Sequence, residues 1–278
     1  MRPRIKNATI LITGASAGIG RELARQLARR AGTLILVARR ADRLEELRAE
    51  LQKKKPGLTV HLEPCDLSEP VAIEAMLASV ANNVGAVDIL INNAGVGDQA
   101  LYDRADWTRI HRMIQVNVVA LALLTHHLVP SMVARGRGGI LNIGSGAGWA
   151  LMPGGATYAA TKHFVDGFTE TLRLELQGTG VVVTQVLPGP VDTEFNEAAG
   201  IQRFAGGPPQ FIRVSVRQCA REAIQGFERG RPVVLPGLAY RTMMRALDVM
   251  PRSVQRLILR DSARQLRQMS SPPDTSTR

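Results

Sequence analysis

Between residues 8 and 190 two hydrophobic patterns alternate along the chain. Ala8–Ile12, Thr33–Val37, Leu58–Leu62, Val87–Ile91, Gly139–Ile143 and Val181–Leu187 are short, unbroken apolar runs of strand length. Between them Ile19–Arg30, Arg43–Lys54, Val71–Ala81, Trp107–Arg135 and Tyr158–Gln177 carry their apolar residues at helical spacing. Strand, helix and strand in this rhythm predict βαβ units, hence a doubly wound α/β fold whose parallel sheet has about seven strands and helices on both faces. The strands lack polar alternation because both of their faces are covered. Asp42 followed by Glu45 reads as a capping box that opens the second helix, and Ser68 before Glu69-Pro70 suits the start of the third.

The texture changes after Leu187. Pro188-Gly-Pro190, Ala198–Gly200 and Gly206-Gly-Pro-Pro209 mark an irregular stretch, within which residues 194–212 read as a mobile lid with Phe195, Ile201, Phe204 and Phe211 among glycines and prolines. A helix near Ser215–Arg229 and a short strand at Pro232–Leu235 complete the sheet. Two further helical patterns, split by Pro251, follow Pro236-Gly237, and the polar end Ser270–Arg278 is expected to fray. No repeat or linker divides the chain, so residues 1–237 read as one domain and 238–278 as its helical extension.

Composition narrows the function. Of 278 residues 45% are apolar and 21% charged, which excludes disorder or a collagen-like chain. Cys65 and Cys219 are the only cysteines, too few for a disulfide framework or a four-cysteine zinc site. The histidines, His61, His111, His126, His127 and His163, have no ligand spacing, so no metal is expected. Apolar runs such as Val116–Leu124 are shorter than the roughly 20 residues of a membrane span. Met1-Arg-Pro-Arg-Ile-Lys6 has no small-residue cleavage pattern, and a cytoplasmic protein is the expectation. The net charge is +11, of which +6 lies in residues 231–278, nine Arg against three Asp. Arg252, Arg256, Arg260, Arg264 and Arg267 form a stripe beside Val254, Leu257, Ile258 and Leu266. Such a basic amphipathic helix either lies on an anionic membrane or packs on its own domain or a sister subunit. Nucleic acid is not expected, since no recognition module accompanies the charge.

The chemistry starts where the first strand meets Thr13-Gly14-Ala-Ser-Ala-Gly18-Ile-Gly20 and a helix follows. Glycines there allow a tight turn and close approach of backbone to a pyrophosphate, while the helix N-terminus supplies N–H groups and partial positive charge. Tyr158 and Lys162 stand four apart on one helix face. A phenol near pH 7 is a poor proton donor or acceptor, and an ammonium one turn away lowers its pKa toward use. Ser145, at the end of the fifth strand, can donate to a substrate carbonyl oxygen. An NAD site commonly places an acid at the end of the second strand. Ala38 stands there instead, followed by Arg39 and Arg40, which suit the 2′-phosphate of NADP(H).

The spacing G-x-x-x-G-x-G resembles the short-chain dehydrogenase/reductase family. So do Asn92-Asn-Ala-Gly95, Asn117, Ser145, Tyr158-Ala-Ala-Thr-Lys162 and Pro188-Gly-Pro-Val-Asp-Thr193, which stand in the family's order over roughly residues 8–235. The resemblance implies a Rossmann fold and an oxidoreductase in which Tyr158 is the general acid/base, Lys162 lowers its pKa and binds ribose, Ser145 orients the carbonyl and Asn117 holds a relay water. It also implies a cofactor set of Gly14, Ser16, Ala17, Gly18, Ile19 and Gly20 around the pyrophosphate. Asp66 and Leu67 would lie at the adenine, Asn93, Ala94 and Gly95 at its ribose, and Pro188, Gly189, Val191 and Thr193 near the nicotinamide, with Tyr158 and Lys162 completing the set. Many relatives of this kind are dimers or tetramers, so the resemblance implies a homodimer or homotetramer. Trp149, Leu151, Met152, Pro190 and Val191 follow strand ends where a pocket wall belongs, which suggests a hydrophobic carbonyl or alcohol as the small-molecule substrate. Two alternatives stand beside this reading: a catalytically idle NADPH-binding or sensing protein, and a lipid-acting reductase held on a membrane by its basic tail.

Overall fold

The computed structural model describes residues 2–191, 193–195 and 210–269. Strands β1 (Thr9–Thr13), β2 (Thr33–Ala38), β3 (Thr59–Pro64), β4 (Ile89–Asn92), β5 (Gly138–Ile143), β6 (Val181–Val186) and β7 (Val233–Val234) form one sheet in the order β3-β2-β1-β4-β5-β6-β7. Every pairing is parallel, with Ile10 opposite Leu34 on one side and Ile89 on the other. The order reverses between β1 and β4, and the crevice beyond the carboxyl ends of these two strands is where a doubly wound sheet takes a ligand.

Alternation along the strands divides the core in two. Ile10, Ile12, Leu34 and Leu36 pack under α1 (Gly18–Leu27), α2 (Ala41–Lys54) and the helix after the irregular stretch, through Leu23, Leu27, Leu44, Ile224 and Phe227. Leu11, Ile35, Val37 and Leu90 face α3 (Pro70–Asn83) and the long central helix through Ile73, Met76, Val80, Leu124 and Met132. Side chains of this kind, fully removed from water, contribute about 1.5–3 kcal/mol each, so the two layers dominate stability. Packing leaves no room for a Cβ at Gly139, which would stand 2.5 Å from Cζ of Phe227.

The central helix is α4 (Trp107–Ile114), a π-turn at Gln115–Val119 and α5 (Ala120–Ala134), followed later by α6 (Ala156–Glu175). From Trp107 to Ala134 it is long and apolar enough to cross a membrane by length and composition; Leu121, Leu124 and Met132 are buried in the core, while Trp107 and Val133 are exposed. A polar row crosses the sheet under this helix. Asn92 and Asn142 are paired in register, as are Asn142 and Gln185. Asn92 donates to Asn142 (2.9 Å) and Thr125 (3.2 Å), and Asn142 donates to Thr169 (3.0 Å).

Two predicted caps are corrected. Arg40, in extended conformation, is the N-cap of α2, and Asp42 lies inside the first turn without capping it. Glu69 is the N-cap of α3 ahead of Pro70, and Ser68 instead bonds back to Asp66 Oδ1 through its N–H (3.0 Å) and hydroxyl (2.8 Å). The last strand is shorter than predicted, because the bonds of β7 to β6 pair only Val233 and Val234.

After α7 (Val216–Glu228) and β7, the extension forms α8 (Leu238–Asp248) and α9 (Arg252–Met269) and packs on its own chain. Tyr240 and Met244 share a small core with Leu187, Ile212 and Leu235. The buried Gln255 amide donates to the carbonyls of Leu247 and Met250 (3.2 Å each), holding the turn at Pro251. Arg267 forks onto Asp103 (2.9 and 3.0 Å). Val254, Leu257 and Ile258 remain exposed. Residues 196–209 of the expected lid, with Ile201 and Phe204, and the tail 270–278 lie outside the described residues.

Candidate active site

β1 ends at Thr13, and Gly14 turns the chain with φ +66°. A Cβ on Gly14 would meet Ala94 Cα at 2.9 Å, and one on Gly20 would meet the Gly14 carbonyl oxygen at 2.4 Å, so α1 and the loop after β4 close on this turn as tightly as backbone allows. The Thr13 hydroxyl accepts the N–H groups of Asn93 and Ala94 (3.0 Å each) and donates to Ile91 O (3.3 Å). The Asn93 amide donates to Thr13 O (2.9 Å), so its side chain braces the turn. α1 opens after the extended Ala17 with no side chain capping it. Its first N–H groups and dipole end therefore point out of the carboxyl side of the sheet, which fits a pyrophosphate.

Ser16 accepts from Arg40 Nη2 at 3.3 Å, while Arg39 is exposed just past β2. Arg40 Nη1 and Arg43 Nη1 reach the two oxygens of Glu194 at 3.2 and 2.5 Å, and these guanidiniums hold the Glu194 carboxyl below the usual carboxylate range. Asp66 is bonded to Ser68 and to Arg112 (2.6 Å); burial alone would raise its pKa, and the Ser68 and Arg112 bonds outweigh it and lower it. Leu67 turns into the core.

Tyr158 and Lys162 lie on the first turns of α6. Lys162 is 5% exposed; its Nζ stands 5.8 Å from the Tyr158 ring centre and donates to Ile143 O at 3.1 Å. Burial pushes the ammonium down to about 8, and it pushes the phenol up rather than down as the tyrosine–lysine spacing predicts, opposed only by a hydrogen bond from Ser145. Ser145 follows β5 and caps a short turn, its oxygen accepting from Ala147 N (3.2 Å). Asn117 sits in the π-turn, a feature common at functional sites. Its amide brackets Val96, accepting its N–H and donating to its carbonyl (2.9 Å each), and donates to Thr161 (3.0 Å). Gly95 runs between Asn117 and Lys162: a Cβ there would lie 3.4 Å from Asn117 Oδ1 and 3.6 Å from Lys162 Nζ.

The structure thus brings Asn117, Ser145, Tyr158 and Lys162 to one end of the crevice and the glycine turn with Arg40 to the other. Thr193 lies at the glycine turn, its Cγ2 3.4 Å from the position of a Gly18 Cβ, and two residues on the Phe195 ring centre is 5.7 Å from that of Tyr158. Some expected contributors face elsewhere. The side chains of Val191 and Ile19 pack with Val214 and Cys219, and Trp149 packs near Tyr240 and donates to Asp166 (2.8 Å). Pro188 and Gly189 lie against Tyr240, whose hydroxyl donates to Pro188 O (3.2 Å) and whose ring leaves 2.7 Å for a Cβ on Gly189. Sequence reasoning missed Tyr240, Glu194 and Arg43. Arg43 alone had a signal, its i+3 spacing from Arg40.

A crevice of this form, with a tyrosine–lysine pair at the carboxyl edge of the sheet, defines a Rossmann-type oxidoreductase. The family model described as short chain dehydrogenase matches residues 8–203, and the chain belongs to that family. Among its relatives is sulfoacetaldehyde reductase 2 of Chromohalobacter salexigens, 40% identical over 191 residues that cover 67% of this chain and 73% of the relative. A short-chain dehydrogenase from Sphingobium yanoikuyae in complex with NADPH has a TM-score of 0.78 at 34% identity, over 97% of this chain and 98% of the other. A bulky-bulky ketone specific alcohol dehydrogenase from Comamonas testosteroni has a TM-score of 0.73 at 29% identity, over 96% of each chain.

Proposed function

We propose that the chain is an NADP(H)-dependent oxidoreductase that reduces a bulky, hydrophobic ketone or aldehyde to its alcohol. The observation that carries the reading is the phenol of Tyr158 set between the Ser145 hydroxyl and the buried Lys162 ammonium, 5.8 Å from the ring centre. When bound, the nicotinamide supplies the hydride. Ser145 holds the carbonyl oxygen beside the Tyr158 hydroxyl, and Tyr158 gives that oxygen its proton. Burial raises the phenol's pKa, so Tyr158 stays protonated at neutral pH, which is the form reduction consumes. Once the proton has gone, the ammonium of Lys162 stabilises the phenolate, more strongly for being out of water. Lys162 faces Asn117 across Gly95, a path by which the proton is replaced through a water that Asn117 holds.

For the cofactor, the turn Gly14, Ser16, Ala17, Gly18, Ile19 and Gly20 would hold the pyrophosphate. Arg39 and Arg40 would hold the 2′-phosphate, and Asp66 with Leu67 the adenine. Asn93, Ala94 and Gly95 would border the ribose, and the stretch Pro188, Gly189, Val191 and Thr193 the nicotinamide. NADPH in the Sphingobium structure supports the cofactor choice, together with Ala38 in place of an acid. Phe195 over Tyr158 supports a hydrophobic substrate, as does likeness along the extension to a dehydrogenase named for bulky ketones. The test is NADPH consumption over a panel of ketones graded by bulk, with the Tyr158→Phe variant beside it. Aryl and branched ketones are expected to turn over fastest, and the variant to bind NADPH while losing about 10²–10⁴-fold in rate. Binding of NADPH without turnover of any carbonyl, or an active variant, refutes the reading.

A further inference from the structure

The Arg40–Arg43 fork is already filled by an acid of the same chain. Each Glu194 oxygen takes one guanidinium, Oε2 from Arg40 and Oε1 from Arg43, and Arg40 uses its other nitrogen on Ser16 in the glycine turn. Arg40 is one of the two arginines to which the reading above gives the 2′-phosphate, and the inference rests on that reading. Arg40 is the N-cap of α2 and Arg43 lies in its first turn, so the two guanidiniums share one face. Glu194 reaches them from the other side of the crevice, between Thr193 over Gly18 and Phe195 over Tyr158. We propose that Glu194 is an internal competitor for the 2′-phosphate subsite, a carboxylate that must leave the arginine fork before the phosphate enters, and so a residue that sets how far the chain prefers NADP(H) to NAD(H).

Charge and exposure make the exchange workable. The side chains of Arg40, Arg43 and Glu194 are 43%, 34% and 52% exposed, so the pair is screened by water and replaceable. A phosphate monoester brings about −1.5 to −2 charges and three acceptor oxygens against a single carboxylate charge, so it displaces Glu194 but binds less tightly than it would to an empty fork. A dinucleotide with a plain 2′-hydroxyl has no charge to offer and leaves the carboxylate in place. Because Thr193, Glu194 and Phe195 are consecutive, the same exchange pulls at the residues that lie over Gly18 and Tyr158.

The test uses adenosine 2′,5′-bisphosphate and 5′-AMP as probes that differ only in the 2′-phosphate, titrated calorimetrically into the whole protein. Glu194→Gln keeps size and polarity while removing the charge, and its thermal melt checks that the fold is intact. The bisphosphate is expected to bind the variant about five- to tenfold more tightly than it binds wild type, with 5′-AMP unchanged within about twofold and the difference shrinking as salt rises. Bisphosphate affinity that is unchanged or weaker, or an equal shift for both probes, overturns the competitor. Wild-type protein that binds both probes alike, with Arg39→Ala and Arg40→Ala making no difference, instead overturns the assignment of those arginines to the phosphate.

Discussion

Replacing Lys162 by Met should make the fold more stable at neutral pH while stopping catalysis. Lys162 is 5% exposed and burial lowers its ammonium from 10.5 to about 8. A lysine whose pKa falls on folding binds fewer protons in the native chain than in the unfolded one between those two values. Its charge therefore costs stability in full below about pH 8, and the cost fades as pH rises toward the unfolded value. At about 1.36 kcal/mol per pH unit the penalty amounts to about 3 kcal/mol. Met has a similar length and no charge. It forfeits the hydrogen bond to Ile143 O, which offsets about 1 kcal/mol. A net gain of about 2 kcal/mol at neutral pH follows, large beside a total stability of about 5–15 kcal/mol. Urea unfolding of both proteins at intervals from about pH 6 to about pH 9.5 measures it, and the two curves should converge with rising pH. A variant less stable than wild type at neutral pH, or a gain independent of pH, would refute the burial argument. Such a trade of stability for activity is common where function requires a charge out of water.

Two further variants probe the frame around the site. Gly20→Ala would put a Cβ 2.4 Å from Gly14 O and from the Asn93 amide; overpacking of this kind costs about 1–3 kcal/mol, and the variant should lose NADPH affinity in a fluorescence titration while wild-type binding at the same concentrations marks the scale. Tyr240→Phe removes the hydrogen bond to Pro188 O but keeps the ring against Gly189; a loss of about 1 kcal/mol in a denaturant melt is expected, and no loss would mean that ring packing alone does the bracing.

The sheet was legible because strands covered on both faces are continuous apolar runs, and the tyrosine–lysine pair because i,i+4 neighbours on a helix share a face whatever the tertiary structure. Caps were less legible. Asp42 and Ser68 have the right chemistry, but the helices begin where the chain leaves the strand ends, at Arg40 and Glu69. Trp149 and Val191 follow the right strands for a pocket wall, yet an apolar residue beside a strand end has two surfaces available, and packing against α7 and α8 claimed them. Glu194 carries no local pattern at all. Its partners are 151 and 154 residues away, and a contact of that separation depends on the fold being closed first.

A buried polar row connects the two halves of the site. Thr169 on α6 accepts from Asn142 on β5, Asn142 accepts from Asn92 on β4, and Asn92 also donates to Thr125 on α5. α6 carries Tyr158 and Lys162, α5 follows directly from the π-turn of Asn117, and Asn92 is the residue before the Asn93 that braces the glycine turn. Apolar packing alone tolerates small slides of a helix along a sheet, since it is not directional. A chain of side-chain amides and hydroxyls does not, because a slip strands buried donors and acceptors at about 1–3 kcal/mol each. The row therefore acts as a register pin. It links the groups proposed to handle the proton to the turn proposed to bind the dinucleotide through three hydrogen bonds between buried side chains.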